Sequence, residues 1–260
     1  MRGKKAQVTI FIIVAIVIVL VALLIYFFYP QIQSTLGFGA ETPSQYMEIC
    51  LEDQINAGID ETSKQGGSLD PEHYFVYDNE KVEYLCYQEE YYLPCVMQRP
   101  LLKQHIESEL NDYLAEDVAE CLADMEKSFS GKGYNVNLER GDFQVELLPK
   151  KVSVVFEDSL ILSDEAAQEY SQMSVFVNNN LYELVSIASS ILNWEARYGD
   201  SETTMYMDNY RDLKVEKKKQ TDGTTVYVLT DRNNGNKFQF ASRSVAWPPG
   251  YGMSSILQRE

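Results

Sequence analysis

The four cysteines are the residues whose type and number predict chemistry most directly. They are Cys50, Cys86, Cys95 and Cys121, and all of them follow a long apolar segment near the N-terminus. An even number of cysteines outside the cytoplasm indicates two disulfide bonds, for which three connectivities exist. We favour Cys50–Cys121 with Cys86–Cys95, because the first pair lies among core-facing residues of two predicted helices and the second closes a short loop. Zinc is the alternative, but no C-x-x-C spacing occurs and only two histidines are present, so no metal site is expected.

Adjacent carboxylates are the only other candidates for catalysis. They occur at Glu52-Asp53, Asp60-Glu61, Glu89-Glu90 and Glu116-Asp117. A glycosidase needs two carboxylates at a defined separation across a cleft, which adjacency in sequence does not supply, whereas solvated helix and loop surfaces explain such pairs. Nucleophile-elbow, P-loop and dinucleotide-binding motifs are absent. We therefore predict no catalytic residue, no cofactor and no enzyme activity, and keep an exported carboxylate-dependent hydrolase as a second alternative.

A tyrosine-rich stretch offers a surface for binding. Its tyrosines are Tyr74, Tyr77, Tyr84, Tyr87, Tyr91 and Tyr92. Tyrosine provides a large amphipathic area at low entropic cost, so these side chains are candidates for contact with a surface protein or a glycan. Ordinary packing of a hairpin is the alternative interpretation. Residues 231–236 faintly resemble a calcium loop, but the glycine is out of register, and an Asn-Gly turn fits better.

The first of the segments that position these groups is an apolar stretch at residues 8–29. Its 22 residues carry no charge. At 1.5 Å per residue, the segment would reach roughly 33 Å, the thickness of the hydrocarbon core of a bilayer. Aromatic residues at 26–29 and Pro30 would mark its end. A cleaved secretory signal is the alternative, but its apolar part is shorter and ends in small residues. We therefore predict a transmembrane helix whose partner is the lipid bilayer.

The charge distribution predicts orientation. Arg2, Lys4 and Lys5 precede the apolar segment, and no acidic residue occurs before Glu41. The positive-inside rule then places residues 1–7 in the cytoplasm and the remainder outside. That remainder holds all 39 acidic residues and 19 of the 22 basic ones, a net charge of −20. Such an acidic surface argues against binding nucleic acid.

The remaining pattern predicts an α+β fold. After a linker at 30–42, we expect a disulfide-bearing helical subdomain at 43–130 and a sheet subdomain at 131–246, followed by an irregular tail at 247–260. The first would contain helices at 43–64 and 101–129, which form a helical hairpin, and a small tyrosine-rich strand hairpin. The second would contain an antiparallel sheet and one packed helix at 181–198, capped by Asn180. We expect its strands at 143–148, 152–162, 172–177, 213–219, 224–230 and 237–244.

The N-terminal residues resemble a known export signal. The start Arg2-Gly3-Lys4-Lys5-Ala6-Gln7-Val8-Thr9-Ile10-Phe11 resembles the class III signal of archaeal type IV pilin-like precursors. The resemblance implies cleavage between Ala6 and Gln7 and a helix that self-associates in a filament core.

The wider chain also resembles a group of uncharacterised single-pass membrane proteins of small-genome archaea. Its Cys50-Leu51, Gly66-Gly67, Cys121-Leu122 and Phe238-Gln239-Phe240-Ala241 segments carry that likeness. The group lends no activity. Our leading hypothesis is a membrane-anchored, acidic cell-surface protein with a structural, adhesive or partner-binding role, and a pilin-like filament subunit is the alternative.

Overall fold

The computed structural model describes residues 17, 19, 42–163, 167–170 and 173–248, and in this part the chain is α+β. None of the helices in those ranges is both long and apolar enough to cross a bilayer. The predicted fold class, which included a transmembrane helix, is therefore corrected to helices packed with sheets. The physical reason is that the long described helices carry charged residues among their apolar ones. Apart from Val17 and Val19, the segment 8–29 lies outside the described residues.

Two long helices form the predicted helical hairpin. Helix α1 is Pro43–Lys64 and helix α2 is Leu102–Gly131. A capping box starts α1, because Oγ1 of Thr42 accepts from N of Gln45 at 3.3 Å while Oε1 of Gln45 accepts from N of Thr42 at 3.2 Å. The Cys50–Cys121 disulfide joins the helices, with the Cα atoms 6.0 Å apart. This bridge, together with contact between Gly58 and the ring of Tyr113, makes the helices antiparallel neighbours.

The largest sheet has six strands. Its members are β1 (Tyr74–Tyr77), β2 (Glu80–Tyr87), β3 (Val96–Met97), β10 (Leu213–Lys219), β11 (Thr224–Asp231) and β12 (Lys237–Arg243). The order is β1-β2-β12-β11-β10, and β3 also pairs with β2. Strands β2 and β12 are parallel, so the prediction of a purely antiparallel sheet is wrong. The segments 43–130 and 131–246, predicted as two subdomains, share this sheet.

Two three-stranded sheets complete the β-structure. One contains β4 (Asn135–Glu139), β7 (Ser159–Ser163) and β8 (Ala167–Tyr170), and the other contains β5 (Phe143–Leu148), β6 (Lys151–Phe156) and β9 (Met173–Asn178). The single strand predicted over 152–162 is therefore wrong. The chain leaves β6 at Glu157, whose N donates to O of Asp142 at 2.9 Å, and re-enters a different sheet. The buried carboxylate of Asp158 accepts from N of Gly141 at 2.6 Å and holds the break.

Helix α3 (Leu181–Tyr198) packs against the largest sheet, and the short helix α4 (Thr204–Asn209) follows it. Leu184, Ala188 and Leu192 line the buried face of α3. The main core lies between the helices and the sheets. A second, smaller apolar cluster on the largest sheet consists of Val82, Tyr84, Val226, Val228 and Ala241. The sheet thus buries apolar side chains in two clusters.

Candidate functional site

A disulfide-closed loop connects β2 to β3. The Cys86–Cys95 bridge closes it, with Cα atoms 5.4 Å apart, and both cysteines are buried. The structure therefore pairs all four cysteines in the connectivity that we favoured from the sequence. Because the bridge holds the two ends of residues 87–94 together, it limits the conformations of a segment that contains little other regular structure.

Hydrogen bonds fix the same loop to the chain that follows β12. The backbone N of Tyr92 donates to O of Ala246 at 3.0 Å, and N of Val245 donates to O of Leu93 at 2.9 Å. The buried guanidinium of Arg243 lies underneath, where its Nη1 donates to O of Glu89 at 2.8 Å. The loop is therefore held by a covalent bridge, two backbone hydrogen bonds and a charged donor, which together hold its outer side chains in place.

Three aromatic side chains project from this region. Tyr91 is 41% exposed, Tyr92 is 51% exposed and Trp247 is 55% exposed. The Tyr92 and Trp247 rings are nearly perpendicular, with centroids 5.1 Å apart, and the Tyr91 ring lies 6.4 Å from that of Tyr92. We call these three residues the aromatic loop surface. Leu93, next in the chain, is also exposed and extends the apolar area.

The other four predicted tyrosines have different environments. Tyr84 is buried, and its hydroxyl lies 2.7 Å from Oγ1 of Thr224 in a hydrogen bond. Tyr77 and Tyr87 are half-buried against the smaller apolar cluster. Tyr74 is 39% exposed on the β1 strand. The six candidates thus divide into two exposed neighbours, at positions 91 and 92, and four residues that belong to the sheet.

A serine and a histidine lie close together at the end of α1. Oγ of Ser68 is 2.7 Å from Nε2 of His105, an arrangement that a hydrolase would use for a nucleophile and a base. The Ser68 side chain is buried, however, and its hydroxyl donates to Oε2 of Glu83 at 2.5 Å. Oε1 of Glu83 accepts from Nε of Arg99 at 3.0 Å. Burial, with Arg99 nearby, lowers the pKa of His105. This network joins the segment after α1 to β2 and α2, and the hydroxyl of Ser68 in it is buried.

A buried carboxyl group lies below the aromatic loop surface. Glu195 of α3 is 3% exposed, accepts from the hydroxyl of Tyr227, and accepts from Oγ of Ser242 at 3.2 Å. Burial raises the pKa of Glu195. Oγ of Ser242 also lies 3.8 Å from Sγ of Cys95. Glu195 and Ser242 therefore connect α3, the largest sheet and the Cys86–Cys95 disulfide within the core.

A cleft opens on another part of the molecule, where α3 begins, α4 ends and β11 turns into β12. Its volume is about 790 Å³. Asparagines contribute much of its wall, at positions 178, 179, 180, 209, 233 and 234. Asn180 is the N-cap residue of α3, as predicted, but its side chain makes no capping hydrogen bond. Oδ1 of Asn179 accepts from N of Leu181 at 2.9 Å instead. The side-chain amide of Asn180 forms hydrogen bonds with Asp231, Asn234 and Asn236 beside the cleft.

The segment with a faint likeness to a calcium loop forms a turn at the edge of this cleft. Oδ1 of Asp231 accepts from N of Asn233 at 2.8 Å, and Gly235 has a φ of +80°. Within the described residues, no three histidine, cysteine or acidic side chains are grouped as metal ligands would be. Ala6 and Gln7, the predicted processing site, lie outside the described residues, so that cleavage stays a prediction.

Sequence reasoning missed two parts of these surfaces. Trp247 falls in the segment predicted as an irregular tail, where a tryptophan followed by Pro248 is the available signal for an exposed aromatic contact. Of the asparagines at 178–180, only Asn180 has a predicted role, as a helix cap, and only the fold brings the three beside residues 231–236. No protein-family model, curated protein or solved structure matches the chain. Its function must therefore be argued from the two surfaces themselves.

Proposed function

We propose that the protein is an extracytoplasmic binding domain that contacts a partner protein at a cell surface through the aromatic loop surface. The observation that carries the proposal is the exposure of Tyr91, Tyr92 and Trp247 on a loop fixed by the Cys86–Cys95 bridge. Tyrosine and tryptophan dominate the energetics of protein interfaces. Because the loop is fixed before binding, association loses less conformational entropy than it would with a mobile segment.

The two disulfide bonds support a location outside the cytoplasm. All four cysteines of the chain are paired, and bridges of this kind persist in oxidising compartments. The Cys50–Cys121 bridge joins the two long helices, and the Cys86–Cys95 bridge holds the binding loop. A reducing compartment would weaken both the fold and the surface that we assign to binding.

Charge selects the chemistry of the partner. Residues after Pro30 carry a net charge of −20, and Glu89 and Glu90 are exposed next to the aromatic loop surface. A partner with an apolar pocket and a basic rim would complement this arrangement. Attraction between the two surfaces would speed association, and added salt would slow it. The same charge disfavours binding to nucleic acid, which is itself anionic.

The direct test introduces a photo-crosslinking amino acid at Leu93 in the full chain, expressed in its native cells. The crosslinked protein is identified by mass spectrometry, and its affinity for the purified chain is then measured. We expect Trp247→Ala to weaken binding at least about tenfold, as loss of an interface anchor does. Tyr210→Ala, which removes a similarly exposed tyrosine from the cleft, is the matched control and should leave this affinity unchanged.

The outcomes separate clearly. A partner whose binding weakens in Trp247→Ala and in Tyr92→Ala, but not in Tyr210→Ala, supports the proposal. The proposal is overturned if crosslinks at Leu93 identify no partner that binds the purified chain, or if Trp247→Ala and Tyr92→Ala bind as tightly as the unmodified protein.

A further inference from the structure

The asparagine-lined cleft is far larger than a packing defect. Its volume of about 790 Å³ lies within the usual range for sites that bind small molecules. Parts of the chain more than 80 residues apart form it, namely Lys150, the start of α3, the segment 209–213 and the turn at 231–234. We propose that this cleft is a binding site for a neutral saccharide. The proposal concerns a second surface and stands independently of the aromatic loop surface.

The polar wall of the cleft is fixed before any ligand enters. Nδ2 of Asn180 donates to Oδ2 of Asp231 at 2.7 Å. Oδ1 of Asn180 accepts from Nδ2 of Asn236 at 2.7 Å and from Nδ2 of Asn234 at 3.3 Å. These bonds determine the orientation of each amide plane. Preorganised amides present donors and acceptors in a set pattern, as recognition of a specific ligand requires.

One atom of the wall has an unmet hydrogen-bonding requirement. Oε1 of Glu183 accepts from N of Lys150 at 3.0 Å, whereas Oε2 of the same carboxylate is buried and accepts no hydrogen bond within the described residues. Burying a carboxylate oxygen without a donor is costly. Because Glu183 lines the cleft, a rotation of its side chain would bring this shielded oxygen to a ligand hydroxyl that donates to it. A saccharide would thereby relieve the cost of burying the unpaired oxygen.

The charges of the cleft favour a neutral ligand. Lys150 and Arg211 contribute positive charge, while Glu183, Asp212 and Asp231 contribute negative charge. Because both signs of charge are present, the cleft offers neither a phosphate nor a strongly cationic group a surface of uniformly opposite charge. A saccharide hydroxyl can donate to a carboxylate and accept from an amide or a guanidinium at the same time, so it suits a wall of mixed sign.

Tyrosine rings supply the apolar contact that a sugar ring requires. Tyr210 is 57% exposed at the edge of the cleft, and Tyr182, in the first turn of α3, is half-buried in its wall. The C–H faces of a pyranose ring pack against aromatic rings, while its equatorial hydroxyls reach the surrounding amides and carboxylates. The cleft thus combines fixed amides, an unsatisfied carboxylate oxygen and aromatic rings.

Saccharide binding to the full chain tests the proposal. Cellobiose, maltose, chitobiose and mannobiose serve as neutral probes in saturation-transfer NMR, followed by calorimetry, at concentrations up to about 10 mM. We expect at least one to bind, and expect Tyr210→Ala and Glu183→Gln each to weaken that binding at least about tenfold. Tyr198→Ala removes a tyrosine of similar exposure that lies outside the cleft, and it should bind as the unmodified protein does.

Each result decides the matter. Binding that Tyr210→Ala and Glu183→Gln weaken and Tyr198→Ala preserves establishes the site. Absence of binding by all four disaccharides overturns it, as does binding that both cleft variants leave unchanged. Trp247→Ala should leave saccharide binding intact, so failure of this proposal and failure of the proposed partner contact are distinguishable. Circular dichroism of every variant checks that the fold is retained.

Discussion

Gly199 and Val245 pack so closely that a Cβ atom at position 199 would overlap Cγ2 of the valine and lie 2.8 Å from its Cβ. Gly199 ends helix α3 with a φ of +78°, and its N donates to O of Glu195 at 2.9 Å. Val245 pairs in turn with Leu93 of the disulfide loop. This contact therefore positions the chain that carries Trp247.

Gly199→Ala should lower the free energy of unfolding by about 2–5 kcal/mol. The left-handed backbone costs an alanine about 1–2 kcal/mol, and overlap with Val245 adds about 1–3 kcal/mol. Gly235→Ala is the matched control, because Gly235 has a φ of +80° but no atom within 4 Å of its Cβ position. Gly235→Ala should therefore lower the free energy of unfolding only by the backbone contribution of about 1–2 kcal/mol.

Urea denaturation measures both variants. Val245 has a φ of +43°, so Val245→Gly changes the backbone strain by itself and is measured alone as well. Relative to that single variant, adding Gly199→Ala should cost only the backbone contribution, since the clashing methyl groups are gone. Equal losses for Gly199→Ala and Gly235→Ala would show that the contact with Val245 contributes nothing.

The two disulfide bonds should stabilise the protein by different amounts, and only one of them should affect partner binding. Cys50 and Cys121 are separated by 71 residues and Cys86 and Cys95 by 9. Loop-closure entropy then predicts losses of about 4 and about 3 kcal/mol for the two Cys→Ala double variants. Only the second double variant frees the loop of Tyr91 and Tyr92, so only it should also weaken partner binding.

Denaturation midpoints and partner affinity, measured on the same preparations, check this prediction. The Cys50→Ala/Cys121→Ala variant acts as the control for general destabilisation, because it lies away from the loop. If both variants weaken partner binding equally at a temperature where both are folded, the loop bridge has no specific role in binding.

Sequence patterns correctly predicted several helices and a turn, because capping and turn preferences depend on residues that are neighbours in the chain. The capping box at Thr42 and Gln45 fixes the start of α1, and the observed α1 and α3 match the predicted 43–64 and 181–198. Asp78 and Asn79 both have positive φ, which places the predicted hairpin turn where their residue types favour it.

Long-range pairings were not predictable in the same way. The parallel pairing of β2 with β12 joins residues more than 150 positions apart, and no turn or periodicity encodes it. The Asn180 network with Asp231, Asn234 and Asn236 depends on the same kind of tertiary approach. Each of these asparagines, taken alone in the sequence, fits a helix cap or a turn. The cleft forms only because the fold brings them together, so the sequence does not predict it.

The buried Glu195 should make stability fall as pH rises. Its pKa is raised above the ordinary value of 4.5 because burial disfavours the charged form, although Tyr227, Lys217 and Ser242 act to lower it and Asp200 to raise it. The folded state thus binds the proton more tightly, so this contribution is fully present below pH 4.5 and is lost as pH rises through the folded pKa.

Glu195→Gln should remove this pH dependence while keeping acceptors and donors for Tyr227 and Ser242. We expect its melting temperature to match the unmodified protein at about pH 4 and to exceed it at about pH 8. Thermal melts across that range measure the difference. A variant that matches the unmodified protein at about pH 4 but is less stable at about pH 8 would contradict the prediction, because it would show that the ionised carboxylate stabilises the core.

His105 should have the opposite dependence on pH. Burial and the nearby Arg99 hold its pKa below the ordinary value of 6.5, while Glu83 and Glu109 act to raise it. The folded state therefore favours the neutral imidazole, so its contribution is present above pH 6.5 and is lost as pH falls through the folded pKa. Acidification would force a proton onto a ring that is bonded to Ser68.

His105→Gln replaces the ring with an amide that does not titrate but can still bond to Ser68. The loss of stability between about pH 7 and pH 5 should therefore be smaller in this variant than in the unmodified protein. His73→Gln is the control, because His73 is exposed and its ring contacts those of Tyr84 and Tyr87, outside this network. Urea denaturation at both pH values measures the slopes. An unchanged slope in His105→Gln, or an equal change in His73→Gln, would remove His105 as the origin of the acid sensitivity.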